Sequence, residues 1–295
     1  MVNEIIAAIR DGKNFLITSH IRLDGDALGS ELALCLLLSA LGKKALVYNQ
    51  DATPAHYRFL PAAESIVQEL GDVEQYDAAF ILDCSELERV GDQAAKIGTI
   101  KKLINIDHHI SNGGFSRIRM LDPQASSTGE LIFRLIKEMG HPLTKDICSN
   151  LYAAIITDTG GFRYSNTRQE TFLAAACLVE NGADPQWISE HIYESDPPAK
   201  LKLLAKTMET LSFDPERKIG SLVVTRKALA ETGASLEMTE GFVDIPRTVQ
   251  GVSIAVLYTQ IDENYFKLSI RSKGKVNVEK IAKQFGGGGH VNAAA

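Results

Sequence analysis

Four separate stretches of this sequence deliver Asp or His just beyond an apolar run. His20, Asp24 and Asp26 follow residues 14–19, Asp83 follows 78–82, Asp107-His108-His109 follows 103–106, and Asp158 follows 151–156. Carboxylates and imidazoles together form a hard, oxygen-rich donor set that suits Mn²⁺ or a similar divalent ion. In an open α/β sheet the loops at the carboxyl ends of the strands meet along one edge, so separate stretches can bring such residues to one point. The pattern therefore predicts a metal-dependent enzyme.

Each stretch also has a plainer reading. In His20-x-x-x-Asp24-x-Asp26, Gly25 lets the chain turn tightly so that both acids face one point, but Asp26 can equally cap a helix through Ala27, Leu28 and Gly29. Asp83 alone can cap a turn toward Ser85 and Glu86. Two adjacent imidazoles after an acid, at Asp107-His108-His109, are harder to explain by packing. Asp158 closes an apolar helix and precedes Thr159-Gly160-Gly161, where burial without a partner would be costly. The plainer readings would all have to hold together.

Short buried strands are expected at 14–19, 45–48, 78–83 and 103–107, with helix-period patterns between the first of them, which is βαβ grammar. Helices are expected at 127–139, 144–156, 168–180 and 185–193, each opening near a capping residue. Ser195-Asp196-Pro197-Pro198 punctuates the chain, and a polar-faced helix at 200–211 leads into a second unit. Strands at 219–225, 252–260 and 265–271 and a helix at 278–285 follow. The expected domains are a metal-binding unit at 1–193, a helical linker at 194–212 and a substrate-binding unit at 213–295. The fold class is α/β, a parallel-sheet N-terminal domain with flanking helices plus a smaller α/β domain.

The chain has 295 residues, enough for two domains, and a net charge of -6, which argues against a protein held on long duplex nucleic acid by a basic surface. The four cysteines, at 35, 84, 148 and 177, form no C-x-x-C pair and read as reduced core thiols. The N-terminus lacks the order of a signal peptide, and no uncharged apolar run reaches ~18 residues, so a cytoplasmic protein without a membrane partner is expected.

The segments HIRLDGDALGS, LDCSELERVG, NIDHHISNGGF and TDTGGFRYSNT together resemble the motifs of the DHH phosphoesterase superfamily. Gly286-Gly287-Gly288-Gly289-His290 resembles the glycine-rich signature of the associated DHHA1 domain, and the likeness is nearest to the nanoRNase/pAp phosphatase group. Several ordered motifs make the resemblance specific where one would not. It implies that His20, Asp24 and Asp83 hold one metal, that Asp26, Asp83, His108 and Asp158 hold the other, and that Asp83 bridges them. Two ions roughly 3.5–4 Å apart would acidify a shared water for attack on phosphorus. Mn²⁺ is the favoured ion, with Mg²⁺, Co²⁺ and Zn²⁺ compatible. His109 would contact the scissile phosphate or protonate the leaving oxygen, and Asp107 would support the metal ligands.

From Asn264 to His290 six basic residues face Glu279 alone, an asymmetry that suits an anion in an otherwise acidic chain. The glycine run, next to an expected helix start at His290, would offer backbone N–H groups to a second phosphate. The resemblance implies substrate contacts from Arg271, Gly287, Gly288, Gly289 and His290 across an interdomain cleft. Arg163 is a further candidate, against the reading that its loop is structural. The implied activity is Mn²⁺-dependent hydrolysis of short oligoribonucleotides, such as pGpG or pApA, to mononucleotides, with dephosphorylation of 3′-phosphoadenosine 5′-phosphate (pAp). A manganese pyrophosphatase, a single-strand exonuclease and a non-catalytic nucleotide-binding module are the alternatives, and a homodimer is left open. The sequence ends at Ala293-Ala294-Ala295, where the superfamily usually shows a glycine and continues for a short further segment.

Overall fold

The computed structural model describes residues 2–295, and the side chain of His290 lies outside the described residues. The chain divides into two compact units, 1–195 and 196–295. The first opens with α1 (Val2–Asp11), β1 (Asn14–Thr18), α2 (Gly25–Ala40) and β2 (Lys44–Val47). It continues through β3 (Ala78–Leu82), α3 (Ala94–Ile97), β4 (Leu103–Asp107) and β5 (Ile118–Leu121). Four helices complete it: α4 (Thr128–Glu138), α5 (Lys145–Asp158), α6 (Gln169–Glu180) and α7 (Pro185–Tyr193).

The five strands form one parallel sheet in the order β2-β1-β3-β4-β5. Parallel strands covered on both faces read as continuous apolar runs, which is why β3, Ala78-Ala79-Phe80-Ile81-Leu82, is buried at every position. One face packs on α2, α4 and α5 through Phe15, Ile17, Phe80, Leu82, Ile104 and Ile106. The other covers Leu16, Ala79 and Ile81 with Val90, Ile97 and Ile100. Strand order reverses between β1 and β3, and a doubly wound sheet opens its crevice beyond the carboxyl ends of strands at such a switch point. His20 follows β1 and Asp83 follows β3.

Helix α2 carries apolar residues on all sides, interrupted by the buried Asp26, Ser30 and Glu31, and is buried along most of its length. It meets α5 at very close range. A Cβ on Gly29 would lie 2.3 Å from the Asn150 carbonyl oxygen, and one on Gly129, in α4, would lie 2.5 Å from the Ala154 methyl. Small residues thus draw three helices together and with them Asp26 on α2, Thr128 on α4 and Asp158 on α5.

The second unit contains α8 (Pro198–Met208), β6 (Ser212–Asp214), β7 (Ile219–Val224), α9 (Arg226–Thr232) and α10 (Asp244–Arg247). It closes with β8 (Ile254–Asp262), β9 (Tyr265–Ser272), α11 (Glu279–Lys283), β10 (Gly289–His290) and β11 (Ala293–Ala294). Its mixed sheet runs β10-β11-β9-β8-β7-β6, with only β7 and β8 parallel. Leu203 of α8 is buried with Leu222, Val224 and Leu257, so this helix packs within the second unit. The helix expected to start at His290 is not present. The segment is a short strand paired with β11, because the glycine run folds back against the chain end through bonds from Gly288 N–H to Ala295 O and from Ala295 N–H to Gly288 O, both 3.0 Å.

Adding a methyl at Gly29 forces α2 away from backbone atoms that have nowhere to go. Gly29→Ala is therefore expected to destabilise the first unit by about 1–3 kcal/mol, measured as a lowered urea midpoint of the metal-free protein with unchanged slope.

Candidate metal centre

The loop after β1 supplies His20, Asp24 and Asp26. Asp24 is the N-cap of α2, with Oδ1 accepting the Ala27 N–H at 3.0 Å, so the capping role falls to Asp24 and Asp26 is released from it. Asp26 Oδ2 instead accepts the Thr128 N–H at 2.7 Å, and Oδ1 accepts the Gly129 N–H at 2.8 Å and the Ser30 hydroxyl at 3.1 Å. The N-terminus of α4 thus points its unpaired N–H groups at a carboxylate, the charge that helix end favours. Asp83 adopts a left-handed backbone, with φ +55°, at the end of β3. Its N–H is held by Ile106 O at 3.0 Å, and its Oδ1 accepts the Thr128 hydroxyl at 2.9 Å.

These side chains converge. His20 Nε2 lies 3.2 Å from Asp83 Oδ2 and 3.7 Å from Asp24 Oδ2. His108 Nε2 lies 3.6 Å from Asp26 Oδ2, 3.6 Å from Asp83 Oδ1 and 3.5 Å from Asp158 Oδ2. Three overlapping groups could hold an ion: His20 with Asp24 and Asp83, Asp26 with His108 and Asp158, and Asp83 with His108 and His109. Asp83 and Asp26 are buried, whereas the Asp158 and Asp24 side chains are 24% and 48% exposed, so the cluster opens to solvent on their side.

The donor set fits divalent ions. His20 Nδ1 donates to Ile21 O at 2.9 Å and His108 Nδ1 to Ala125 O at 3.3 Å, which turns both Nε2 atoms toward the carboxylates. A backbone carbonyl on the far nitrogen is the support that metal-binding imidazoles ordinarily have. His109 differs, since its Nδ1 donates to Asp107 Oδ1 at 2.6 Å. Asp107 Oδ2 in turn accepts from Asn112 at 2.6 Å, and Asn112 also reaches Asn105 Oδ1 and Cys84 O.

The electrostatics of the metal-free cluster point the same way. Burial pushes Asp26 well above the usual carboxylate range, and the charges of Asp83 and Asp158 add to it. Burial likewise lifts Asp158 to about 6, against the charge of His108. Burial would lower His20, but the bond to Asp83 and the charges of Asp24 and Asp83 outweigh it and hold the imidazole at about 9. His108 is also held at about 9 against burial, by Asp158, Asp83 and Asp26. Asp83 stays well below the usual range despite burial, through His109, His20 and His108. In the metal-free protein, protons on histidine partly offset the carboxylate charge that divalent ions would otherwise offset.

Several residues at the site escaped the sequence reading. Thr128 and Gly129 sit in Ser126-Ser127-Thr128-Gly129-Glu130, whose Ser127-x-x-Glu130 spacing reads only as a helix start. Asn166 donates to Asp158 Oδ2 at 3.2 Å and to Ser126 O at 2.8 Å. Behind His20, Asn49 accepts the Ser19 N–H at 3.3 Å and donates at 2.8 Å to the buried Glu31, whose acid burial lifts to about 8. An isolated Asn or Thr carries no spacing signal.

Of the remaining sequence candidates, Arg163 is exposed, its Nε bonded to Gly160 O, in a loop where Gly160, Gly161 and Phe162 all have positive φ. Arg271, Gly287, Gly288 and Gly289 lie in the second unit. The Gly287 and Gly288 N–H groups donate to Ala282 O and Ala295 O, and Arg271 Nη1 donates to Ile270 O.

The model of the DHH family, N-terminal domain, matches residues 14–155, and that of the DHHA1 domain matches residues 220–295. Over 294 residues the chain is 33% identical to the bifunctional oligoribonuclease and PAP phosphatase NrnA of Thermus thermophilus, covering 100% of this chain and 86% of that protein. The chain belongs to the DHH/DHHA1 family. This DHH/DHHA1 chain is also 26% identical to the Bacillus subtilis protein of the same description, over 100% of its own length and 92% of the other. It superposes with a TM-score of 0.94 on the crystal structure of an exopolyphosphatase-related protein from Bacteroides fragilis, at 28% identity, covering 99% of this chain and 89% of that one. The two family matches fall on the two units described above, and the convergent cluster lies in the DHH part.

Because metals bind deprotonated ligands, an ion held by these groups would displace protons from His20, His108 and Asp26, and from Asp158 at low pH. Mn²⁺ affinity is expected to rise with pH up to about 9 and to fall further below about 6. Calorimetric titration near neutral pH, in buffers of different ionisation enthalpy, should show net proton release, and none would contradict the assignment.

Proposed function

We propose that this chain is a divalent-metal-dependent phosphodiesterase that hydrolyses short oligoribonucleotides to mononucleotides and dephosphorylates pAp to AMP. The observation that carries the reading is the convergence of four aspartates on His20 and His108, each imidazole turned inward by a backbone carbonyl on Nδ1. Likeness along the whole chain to proteins described as bifunctional oligoribonuclease and PAP phosphatase supports the substrate class.

In this reading His20, Asp24 and Asp83 hold one ion, and Asp26, Asp83, His108 and Asp158 hold the other. Mn²⁺ is favoured by the oxygen-rich set. When bound, the ions supply Lewis acidity toward water and the phosphoryl oxygens. The chain's own residues do the remaining work. With Nδ1 donating to Asp107, His109 meets the substrate through Nε2, where it hydrogen-bonds the scissile phosphate or protonates the leaving oxygen. Asn112 keeps Asp107 in place for that task. Arg163 is a contact for the nucleotide, and Arg271 with Gly287, Gly288, Gly289 and His290 binds the far phosphate. Since Gly287 and Gly288 spend their N–H groups within the chain, the part of the run is close approach without a side chain at Gly288, where a Cβ would meet open space, and the Arg271 guanidinium supplies the charge. The free cysteines fit a reducing, cytoplasmic setting. Among the described residues no helix is long and apolar enough to cross a membrane.

Mn²⁺-dependent turnover of a 5′-phosphorylated ribodinucleotide, compared at equal concentration with a long single-stranded RNA, pAp and pyrophosphate, tests the proposal. Preference for the dinucleotide, with turnover of pAp, is the expected result. Cleavage of pyrophosphate alone, or of nothing, would overturn it. Arg271→Ala is expected to lower kcat/KM for the dinucleotide about tenfold to a hundredfold, mainly through KM, and to leave a small generic phosphodiester nearly unaffected.

A further inference from the structure

Thr128 is fully buried at the first position of α4 and touches the metal centre twice. Its N–H donates to Asp26 Oδ2 at 2.7 Å and its hydroxyl to Asp83 Oδ1 at 2.9 Å. Asp83 and Asp26 belong to different candidate ion groups, one with His20 and Asp24, the other with His108 and Asp158. A single residue that is neither acid nor imidazole therefore holds one carboxylate from each.

The orientation of Asp83 is what needs holding. Its two oxygens face different partners, Oδ2 toward His20 at 3.2 Å and Oδ1 toward His108 at 3.6 Å and His109 at 3.5 Å, although the His109 Nδ1 hydrogen goes to Asp107. The terminal torsion of an aspartate is broad, so rotation about Cβ–Cγ would take both oxygens out of place together. An imidazole that gives its Nε2 lone pair to a metal no longer offers a hydrogen to Asp83. The Thr128 hydroxyl still does, and the residue carrying it is anchored by the Asp26 contact and by the Ser127 cap, whose hydroxyl accepts the Glu130 N–H at 3.0 Å.

We propose that Thr128 is the positioning residue that keeps Asp83 turned toward both ion positions, so that the second ion is bound tightly only while this hydroxyl is present. This rests on the reading of the cluster as a two-ion centre. Val at this position keeps the shape and the N–H but removes the hydroxyl. Ser keeps the hydroxyl and loses the methyl.

The test is calorimetric titration of Mn²⁺ into metal-free wild type, Thr128→Val, Thr128→Ala and Thr128→Ser without substrate, with circular dichroism melting as the control for folding. Wild type should take two ions. The Val and Ala variants should bind one of them about tenfold to a hundredfold more weakly, the range for losing a hydrogen bond to a charged group, while Ser stays near wild type. Dinucleotide kcat should fall with that affinity and KM should hold. The alanine variant leaves space rather than a methyl against the carboxylates, and it answers the question if the valine variant does not fold. Wild-type affinity for two ions in Val and Ala, an equal loss in Ser and Val, or fewer than two ions in wild type would each overturn the inference. A wild type that binds two ions but cleaves neither dinucleotide nor pAp would sink the functional reading and leave the role of Thr128 standing.

Discussion

Four carboxylates gathered at one sheet edge, two of them buried, are the constraint to which the rest of the first unit answers. Uncompensated charge of that density is among the most expensive things a protein interior can hold. The chain compensates with what it has: the N-terminus of α4 against Asp26, a hydroxyl and three imidazoles around Asp83, and protons retained on His20 and His108. None of these supplies the full countercharge, and the deficit is the physical case for divalent cations. The arrangement is stable enough to be built and incomplete enough to bind.

Much of this was legible in the sequence because each ligand candidate ends an element. A parallel strand buried on both faces must be an uninterrupted apolar run, so Asp83 and Asp107 mark the ends of β3 and β4 by contrast with what precedes them. The same reasoning locates β1 and the large helices. It fails for β5, where Arg119 interrupts a half-buried edge strand, and α1 lies outside the elements it locates. At the site, the acids and histidines show themselves by type. Thr128, Asn112, Asn166 and Asn49 do not, because they act through a single hydroxyl or amide whose partner is tens of residues away or at unremarked spacing.

The second unit was harder to read for a different reason. Its sheet is mixed and half exposed, and its lysines sit where a solvated face would place them in any case. The glycine run suggested an anion nest at a helix start, yet its backbone closes on the chain end as a paired strand. Composition announced that glycine was needed there without saying whether freedom of the backbone or absence of a side chain was the reason. Both apply: Gly286 and Gly289 have φ of +80° and +136°, and a Cβ on Gly287 would lie 2.2 Å from the Ala295 carbonyl oxygen.

If the cluster holds ions as proposed, the crossing of α2 and α5 bears on which ions it takes. Asp26 and Asp158 ride on these two helices, and at Gly29 the helices are separated by backbone contact rather than by side chains that could repack. Backbone is nearly incompressible, so the spacing of the two helices that carry these acids is fixed like the jaws of a gauge. Under the two-ion reading, a cation that does not suit that helix spacing would be accommodated by side-chain rotation of the more exposed acids, Asp24 and Asp158, at the rim. Discrimination between ions of equal charge would then originate in a glycine that never touches them.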